Sequence, residues 1–265
     1  MDAFYKLDYS VLCVTNDHKI AQKKIRKNLK FLTYEDITKL PLVCGSTIFS
    51  WRDSEQLLRN DLELYTWMES YLYVTKNSLF LSSASVYKNS PKALDESFYN
   101  LDLNVKMNKK FILEEKLSSL LLEKNIKHVN IRISNAYGED LKYGLIGSLI
   151  NSIEFNDSVS IFQNLQITRD YIHVNDIVYA VQQLIDIETN EGCLNISTGI
   201  GTTISELLQI FAKNGFKFEN QNKPLDSYGI KNGSILNCSA LRSLIKWHPR
   251  KLENEIEKLL DKFKS

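Results

Sequence analysis

Residues 78–87 read SLFLSSASVY and combine a short apolar run with a cluster of serines. Apolar runs of this length that end in turn-forming residues are typical of buried strands. The pattern predicts a strand over 78–82, with Ser82 and Ser83 at its carboxyl end. Open parallel sheets bind ligands beyond the carboxyl ends of their strands, so these serines are candidate site residues.

Strands and helices alternate on both sides of this stretch. Short apolar, β-branched runs predict strands over 9–15, at Phe31 and Leu32, over 42–44 with a break at Gly45 and Ser46, and over 129–133. Apolar side chains at helical spacing predict helices over 19–30, 54–72 and 107–122. The alternation predicts an α/β fold, with a parallel sheet that carries helices on both faces.

The second half of the chain mixes short strands with helices. Residues 193–196 form a predicted strand. Asn175 is the predicted cap of a helix that begins immediately after this residue. Thr203 and Glu206 have the spacing of a capping box. The last helix is predicted to begin at about Lys251, where leucines and isoleucines recur at helical spacing.

Composition and charge exclude several classes of function. The chain has 33 basic and 32 acidic residues, a net charge of +1, so nothing in its overall charge favours nucleic acid or a membrane surface. No run reaches the ~20 apolar residues of a spanning helix, and residues 1–9 do not resemble a signal peptide. The cysteines form no C-x-x-C pair, so no metal site is predicted and a reducing cytoplasm is expected. They are Cys13, Cys44, Cys193 and Cys238.

Four segments in order resemble the extended short-chain dehydrogenase/reductase family, the NAD-dependent nucleotide-sugar epimerases and dehydratases. They are 78–87, RISNAYG at 132–138, TRDYIHVNDIVYAV at 168–181 and LNISTGIGTTISELL at 194–208. The resemblance implies a Rossmann-like sheet with a smaller C-terminal substrate lobe. It implies a truncated dinucleotide-binding core over 1–140, and a mixed segment over 141–265 that belongs to the same compact unit.

The resemblance also implies roles for three polar residues. Ser83 stands where the family places the hydroxyl that hydrogen-bonds the reacting sugar oxygen; the alternative is a serine that merely ends a strand. Asn135 matches a residue that binds the diphosphate region; the alternative is an asparagine turn. Arg169 matches the arginine that clamps the nucleotide phosphate, which its fork suits geometrically, and the alternative is a surface salt bridge.

Strand alternation adds detail to the segment around Arg169. It puts Tyr171 on the face of Arg169, and Asp170 and Ile172 on the opposite face. His173, a few residues on, is expected to be structural rather than a ligand or a base.

The sequence departs from the family at the cofactor end of the site. Members follow their first strand with a glycine-rich turn that lets the backbone approach the cofactor pyrophosphate. Here the first glycine of the chain is Gly45, and residues 15–19 read TNDHK. NAD or NADP, the cofactor that the family implies, would need a rebuilt loop.

A second departure concerns proton transfer. Members carry Y-x-x-x-K, and no tyrosine of this chain has a lysine four residues later. If Lys110 takes the place of the family lysine, which holds the nicotinamide ribose, Glu114 follows it as in the family and Lys106 stands at the tyrosine position. Tyr87 or Tyr99 is a candidate substitute for the missing acid/base.

Three hypotheses follow. The first is a divergent enzyme that epimerises, dehydrates or reduces a nucleotide sugar for surface polysaccharide, with Ser83 and Lys110 catalytic and Asn135 and Arg169 binding substrate. The second is a nucleotide-sugar-binding pseudoenzyme or partner subunit without redox activity. The third is an α/β scaffold without a ligand. Family members often dimerise, so a homodimer or a heterodimer with a homologue, through helices 54–72 and 107–122, is expected.

Overall fold

The structure is a computed structural model that describes residues 11–14, 29–32, 44–50, 75–87, 90, 92–98, 109–155, 165–218 and 235–264. Its strands are β1 (Val11–Val14), β2 (Leu29–Leu32), β3 (Cys44–Ser50), β4 (Thr75–Ser83), β5 (Lys127–Ile133), β6 (Asn135–Tyr137), β7 (Thr168–His173), β8 (Gly192–Ile196) and β9 (Gly201–Thr203). Its helices are α1 (Lys109–Glu123), α2 (Gly144–Phe155), α3 (Val174–Asp186), α4 (Ile204–Lys213), α5 (Ser239–Leu244) and α6 (Leu252–Asp261), with a one-turn 3₁₀ helix at Ala84–Val86.

A parallel sheet in the order β3-β4-β5-β8 forms the centre of the fold. β1 and β2 form a separate parallel pair, and a smaller sheet in the order β6-β7-β9 follows the carboxyl end of β5. Ser83 pairs with Ile133 at the ends of β4 and β5, and Asn135 begins β6 two residues later. The ends of β4 and β5 and the start of β6 therefore lie at one edge.

Helices cover both faces of the central sheet. On one face, Asn130 donates a hydrogen bond to Ser118 of α1 at 2.9 Å, and Phe80 lies under Lys110. On the other, Leu79 and Val129 pack in a core with apolar residues of α3 and α5. Neighbouring residues of a strand face opposite sides, so β4 and β5 are buried on both. The predicted α/β fold is confirmed.

A second core lies between the smaller sheet and three helices. It is built by Tyr137, Tyr171 and apolar side chains of α2, α4 and α6. The predicted capping box of α4 is present, with Thr203 and Glu206 each bonded to the other's backbone N–H. Lys251 precedes α6 as predicted. No helix in the described ranges has the length and apolar character needed to cross a membrane. The division of the chain at residue 140 stays a prediction.

Three local predictions are wrong. Gly45 and Ser46 lie inside β3, where pairing with β4 carries the strand through the predicted break to Ser50. β2 begins at Leu29, so the helix predicted over 19–30 does not reach Lys30; Leu29 and Lys30 pair with β1. Asn175 is not a cap: α3 begins at Val174, and the imidazole of His173 accepts the Asn175 N–H at 3.2 Å. The rest of the helix predicted over 19–30 lies outside the described residues. The helix predicted over 54–72 also lies outside them.

Candidate active site

Ser83 ends β4 at the carboxyl edge of the sheet. Its Oγ accepts the backbone N–H of Ser85 at 3.1 Å and caps the 3₁₀ turn that follows. Ser83 therefore does end a strand, as the alternative to a substrate-binding role predicts. This position does not exclude the role implied by the resemblance, because a hydroxyl that accepts one hydrogen bond still has its own hydrogen to donate.

Asn135 is held by the neighbouring strand. It begins β6 opposite Tyr171 of β7, so the asparagine-turn alternative is wrong. Its side-chain amide donates to the carbonyl oxygen of Asp170 at 3.0 Å. This bond fixes the orientation of the side chain, which is half-buried at the wall of a cavity.

Arg169 lies in β7, one residue before a buried carboxylate. The Asp170 carboxylate accepts the N–H and hydroxyl of Thr198 at 3.0 and 2.7 Å and the N–H of Gly199 at 3.0 Å. Burial raises the pKa of Asp170, and these hydrogen bonds oppose the rise. Ile172 packs in the central core and Tyr171 in the second core, so these two residues face opposite sides of β7 as predicted.

A cavity of about 230 Å³ opens beside the start of β6. Its walls are formed by β6, β7, the loop before α2 and the first turn of α2, through Asn135, Ala136, Leu141, Tyr143, Gly144, Leu145, Ile146 and Tyr171. None of these lining residues is an aspartate or a glutamate. Of the four predicted site residues, Asn135 lines this cavity; Ser83, Lys110 and Arg169 are not among its lining residues.

Tyr171 has no predicted role, yet it lines the cavity. Its side chain is 4% exposed, and its buried hydroxyl has no hydrogen-bond partner. Burial raises the pKa of Tyr171 to about 12, and the charge of Arg169 opposes the rise. The hydroxyl is thus a neutral donor at physiological pH. Alternation places this residue on the face of Arg169, but no sequence pattern reveals that its hydroxyl is unpaired.

Lys110 lies in the first turn of α1, against the sheet. Its Nζ is 5.8 Å from the centroid of the Phe80 ring. Partial burial lowers the pKa of Lys110, and the carboxylate of Glu114 opposes the change. An ammonium group here suits the ribose hydroxyls of a dinucleotide, whose oxygens accept N–H bonds. Lys110 is the described residue to which the resemblance assigns the ribose of NAD or NADP, and this role stays a prediction; residues 15–19 lie outside the described part of the chain.

Tyr87, a candidate substitute for the missing tyrosine, is held in the interior by two contacts. Its hydroxyl donates to Oδ1 of Asn195 at 2.7 Å, and its ring lies 4.7 Å from the Arg132 guanidinium carbon. Burial raises the pKa of Tyr87 above its ordinary value. This hydrogen bond gives Tyr87 a structural role, and its use as the acid/base stays a prediction. Lys106 and Tyr99 lie outside the described residues.

Arg132 in turn binds Glu114 through Nε and Nη2, at distances of 2.7 to 3.2 Å. Both side chains are almost fully buried. Glu114 lies one helical turn beyond Lys110, so the ion pair fastens the start of α1 to β5.

Solved structures of similar fold cover nearly the whole chain. The UDP-glucose 4-epimerase of Thermotoga maritima, solved with UDP-glucose, has a TM-score of 0.79 at 20% identity over 99% of this chain and 93% of its own. A UDP-glucuronic acid 4-epimerase of Bacillus cereus, in complex with UDP-4-deoxy-4-fluoro-glucuronic acid and NAD, has a TM-score of 0.81 at 16% identity, with coverage of 99% and 93%. At these identities the likeness concerns the fold alone.

Sequence relatives are similar over a shorter stretch. A dTDP-4-dehydro-6-deoxyglucose reductase of Escherichia coli is 30% identical over 158 residues, 57% of this chain and 49% of the relative. An ADP-L-glycero-D-manno-heptose-6-epimerase of Brachyspira hyodysenteriae is 27% identical over 175 residues, 62% of this chain and 54% of the relative. The chain thus spans about half the length of these curated relatives.

The family model of the NAD-dependent epimerases and dehydratases matches residues 50–196. The match runs from the end of β3 to the end of β8 and includes Ser83, Lys110, Asn135 and Arg169. It covers more than half of the chain. The resemblance stated from four short segments is confirmed: the chain belongs to the NAD-dependent epimerase/dehydratase family.

Proposed function

We propose that this protein binds a nucleotide sugar at the carboxyl edge of its sheet and epimerises, dehydrates or reduces the sugar with NAD or NADP. The observation that carries the proposal is the pairing of β6 with β7, which brings Asn135 and Tyr171 together on the wall of one cavity. Arg169 lies two residues from Tyr171 on the same face of β7. A supply of precursors for surface polysaccharide in the cytoplasm is the setting that the family implies.

The charge around the cavity supports an anionic ligand. Gly144, Leu145 and Ile146 form the first turn of α2 and line the cavity, so the positive end of the helix dipole adjoins it. The guanidinium of Arg169 would add a two-pronged contact to a diphosphate. Asn135, oriented by Asp170, would contact the same region of the ligand.

Two residues would serve the reacting sugar. Ser83 would donate its hydroxyl hydrogen to the sugar oxygen at the reacting carbon, and Lys110 would hold the ribose of the cofactor. NAD or NADP supplies a hydride acceptor or donor when bound. The residue that moves the proton in place of the family tyrosine is not assigned, since Tyr87 is committed to Asn195.

One observation favours a second candidate, a nucleotide-sugar-binding pseudoenzyme or a subunit that pairs with an active homologue. Lys106 at the tyrosine position and the glycine-free residues 15–19 remove the family's acid/base and its pyrophosphate cradle. A general acid/base typically contributes 10²–10⁴-fold to rate, so its loss without replacement would leave slow turnover. Binding through Asn135 and Arg169 does not depend on either feature.

Calorimetric titration with UDP-glucose, dTDP-glucose and ADP-glucose tests the shared part of both candidates. We expect at least one to bind, and Arg169→Ala to weaken that binding by about tenfold or more, because a charge-assisted contact is lost. The control is Arg242→Ala, which removes an exposed arginine of α5. Equal loss in both variants, or no binding by the wild-type protein, would contradict the proposal.

Mass spectrometry of the native protein then separates the two candidates. A co-purified dinucleotide, with turnover of the bound sugar that Ser83→Ala abolishes, supports the enzyme. Binding of the sugar nucleotide without a dinucleotide and without turnover supports the pseudoenzyme.

A further inference from the structure

The unpaired hydroxyl of Tyr171 is unusual for a folded protein. Buried polar atoms nearly always have a hydrogen-bond partner, and each exception calls for an explanation such as a missing water, an ion or a ligand. A phenylalanine would fill the same space without the free-energy cost of an unpaired hydroxyl. The hydroxyl therefore costs the free protein stability, and the cavity that Tyr171 lines is where a compensating partner could lie.

The surroundings indicate the charge of that partner. No acidic side chain lines the cavity, and the amino-terminal turn of α2 forms part of its wall. A neutral tyrosine donates to an oxygen that only accepts, and phosphate oxygens are of this kind. The helix terminus and the hydroxyl thus offer two kinds of donor to one anionic group.

We propose that the Tyr171 hydroxyl donates a hydrogen bond to a diphosphate oxygen of the ligand, which makes Tyr171 a ligand-binding residue of this cavity. The inference rests on the proposed function and adds a residue to its binding site. The hydroxyl is screened from solvent, so the ligand reaches it only when the first turn of α2 or the loop before it shifts. Asn135, opposite Tyr171 in the β6–β7 register, would approach the same group from the neighbouring strand.

Tyr171→Phe tests the proposal with two measurements on the full chain. In a thermal melt without ligand, the variant should unfold at the same temperature as the wild-type protein or up to about 4 °C higher, because an unpaired hydroxyl is gone. In calorimetry with whichever of UDP-glucose, dTDP-glucose and ADP-glucose binds, its affinity should fall by about tenfold to a hundredfold. Inorganic pyrophosphate, as a competitor, should lose affinity in the same variant.

The matched control is Tyr179→Phe, on α3. The Tyr179 hydroxyl donates to the Lys246 carbonyl at 3.1 Å at the surface, and its loss should leave sugar-nucleotide affinity unchanged. If pyrophosphate binds both proteins equally while the sugar nucleotide does not, the partner is a sugar or base atom and the diphosphate assignment is overturned.

Other outcomes are equally decisive. A Tyr171→Phe variant that melts lower has lost a structural hydrogen bond to protein or water, which overturns the proposal whatever its affinity. Sugar-nucleotide binding that is equal in wild type and variant overturns this inference alone. If the wild-type protein binds none of the three sugar nucleotides, the proposed function fails and this inference fails with it.

Discussion

Tyr87 and Tyr171 are buried to a similar degree, at 7% and 4% exposure. The hydroxyl of Tyr87 donates to Asn195, whose side chain also donates to the carbonyls of Leu94 and Asn237 at 3.0 Å each. The hydroxyl of Tyr171 has no partner and belongs to a residue on a cavity wall.

The contrast separates two uses of the same side chain. Tyr87 bonds Asn195 of β8, and Asn195 in turn bonds the segments around residues 94 and 237, so the Tyr87 hydroxyl belongs to a network that contributes to folding. Tyr171 gains nothing from its hydroxyl in the free protein. Burial and a raised pKa are common to both residues, so neither property distinguishes them; the state of the hydrogen bond does.

The largest effect is expected at the ion pair that supports Tyr87. Glu114→Ala leaves the Arg132 guanidinium, which stacks on the Tyr87 ring, buried without a counter-charge. The expected loss is about 3–5 kcal/mol in the free energy of unfolding, measured by urea denaturation. Glu115→Ala, which removes the exposed neighbour on α1, should change it by less than about 0.5 kcal/mol. Similar losses in the two variants would mean that the buried pair is not what holds α1 to β5.

A smaller effect is expected from Tyr87→Phe. The substitution leaves Oδ1 of Asn195 unpaired in the interior and should cost about 1–3 kcal/mol in urea denaturation, without a change in affinity for the sugar nucleotide. Tyr171→Phe should differ in both measurements, because its stability should be unchanged or higher and its affinity should fall. If Tyr87→Phe weakened ligand binding as much as Tyr171→Phe does, the distinction between the two tyrosines would be lost.

The smallest effect is expected at His173, whose buried imidazole has one hydrogen-bonded nitrogen. Its Nδ1 accepts the Asn175 N–H, and its Nε2 lies 4.0 Å from the Glu255 carboxylate. Burial lowers the pKa of His173, and Glu255 opposes the change. The unfolded chain therefore takes up this proton at higher pH than the folded one, and stability falls as pH drops below about 6.5.

His173→Asn keeps an acceptor at the cap and cannot titrate, so its melting temperature should fall less than that of the wild type between pH 7.5 and pH 5.5. His248→Asn, at an exposed position, should keep the wild-type dependence on pH. A His173→Asn variant with the full wild-type dependence would show that other groups are responsible.

Local patterns predicted three strands of the central sheet, because each contains closely spaced apolar residues. β4, β5 and β8 match their predicted strands within a few residues. The helix α2 has no counterpart among the predicted elements, although residues 145–153 (LIGSLINSI) repeat apolar side chains at helical spacing. It contains Gly147, a poor helix former. A Cβ there would lie 2.4 Å from the Leu141 carbonyl oxygen, so the packing of the preceding loop explains this glycine.

The sequence predicted only part of the candidate site, because the rest depends on packing between distant segments. Alternation along β7 places Arg169 and Tyr171 on one face, and the strand ends locate Ser83 and Asn135 at one edge. Whether a hydroxyl has a partner depends on how α2 and its loop pack against β7. This packing is a long-range contact, and local sequence periodicity does not predict it.

Asp170 fixes the positions of several residues of the candidate site. Its carbonyl oxygen orients Asn135, its carboxylate holds Thr198 and Gly199, and its neighbours in β7 are Arg169 and Tyr171. The backbone that carries these side chains is thus immobilised before any ligand arrives. A preorganised site loses little conformational entropy on association. Substitution of Asp170 would therefore weaken a ligand that it never touches.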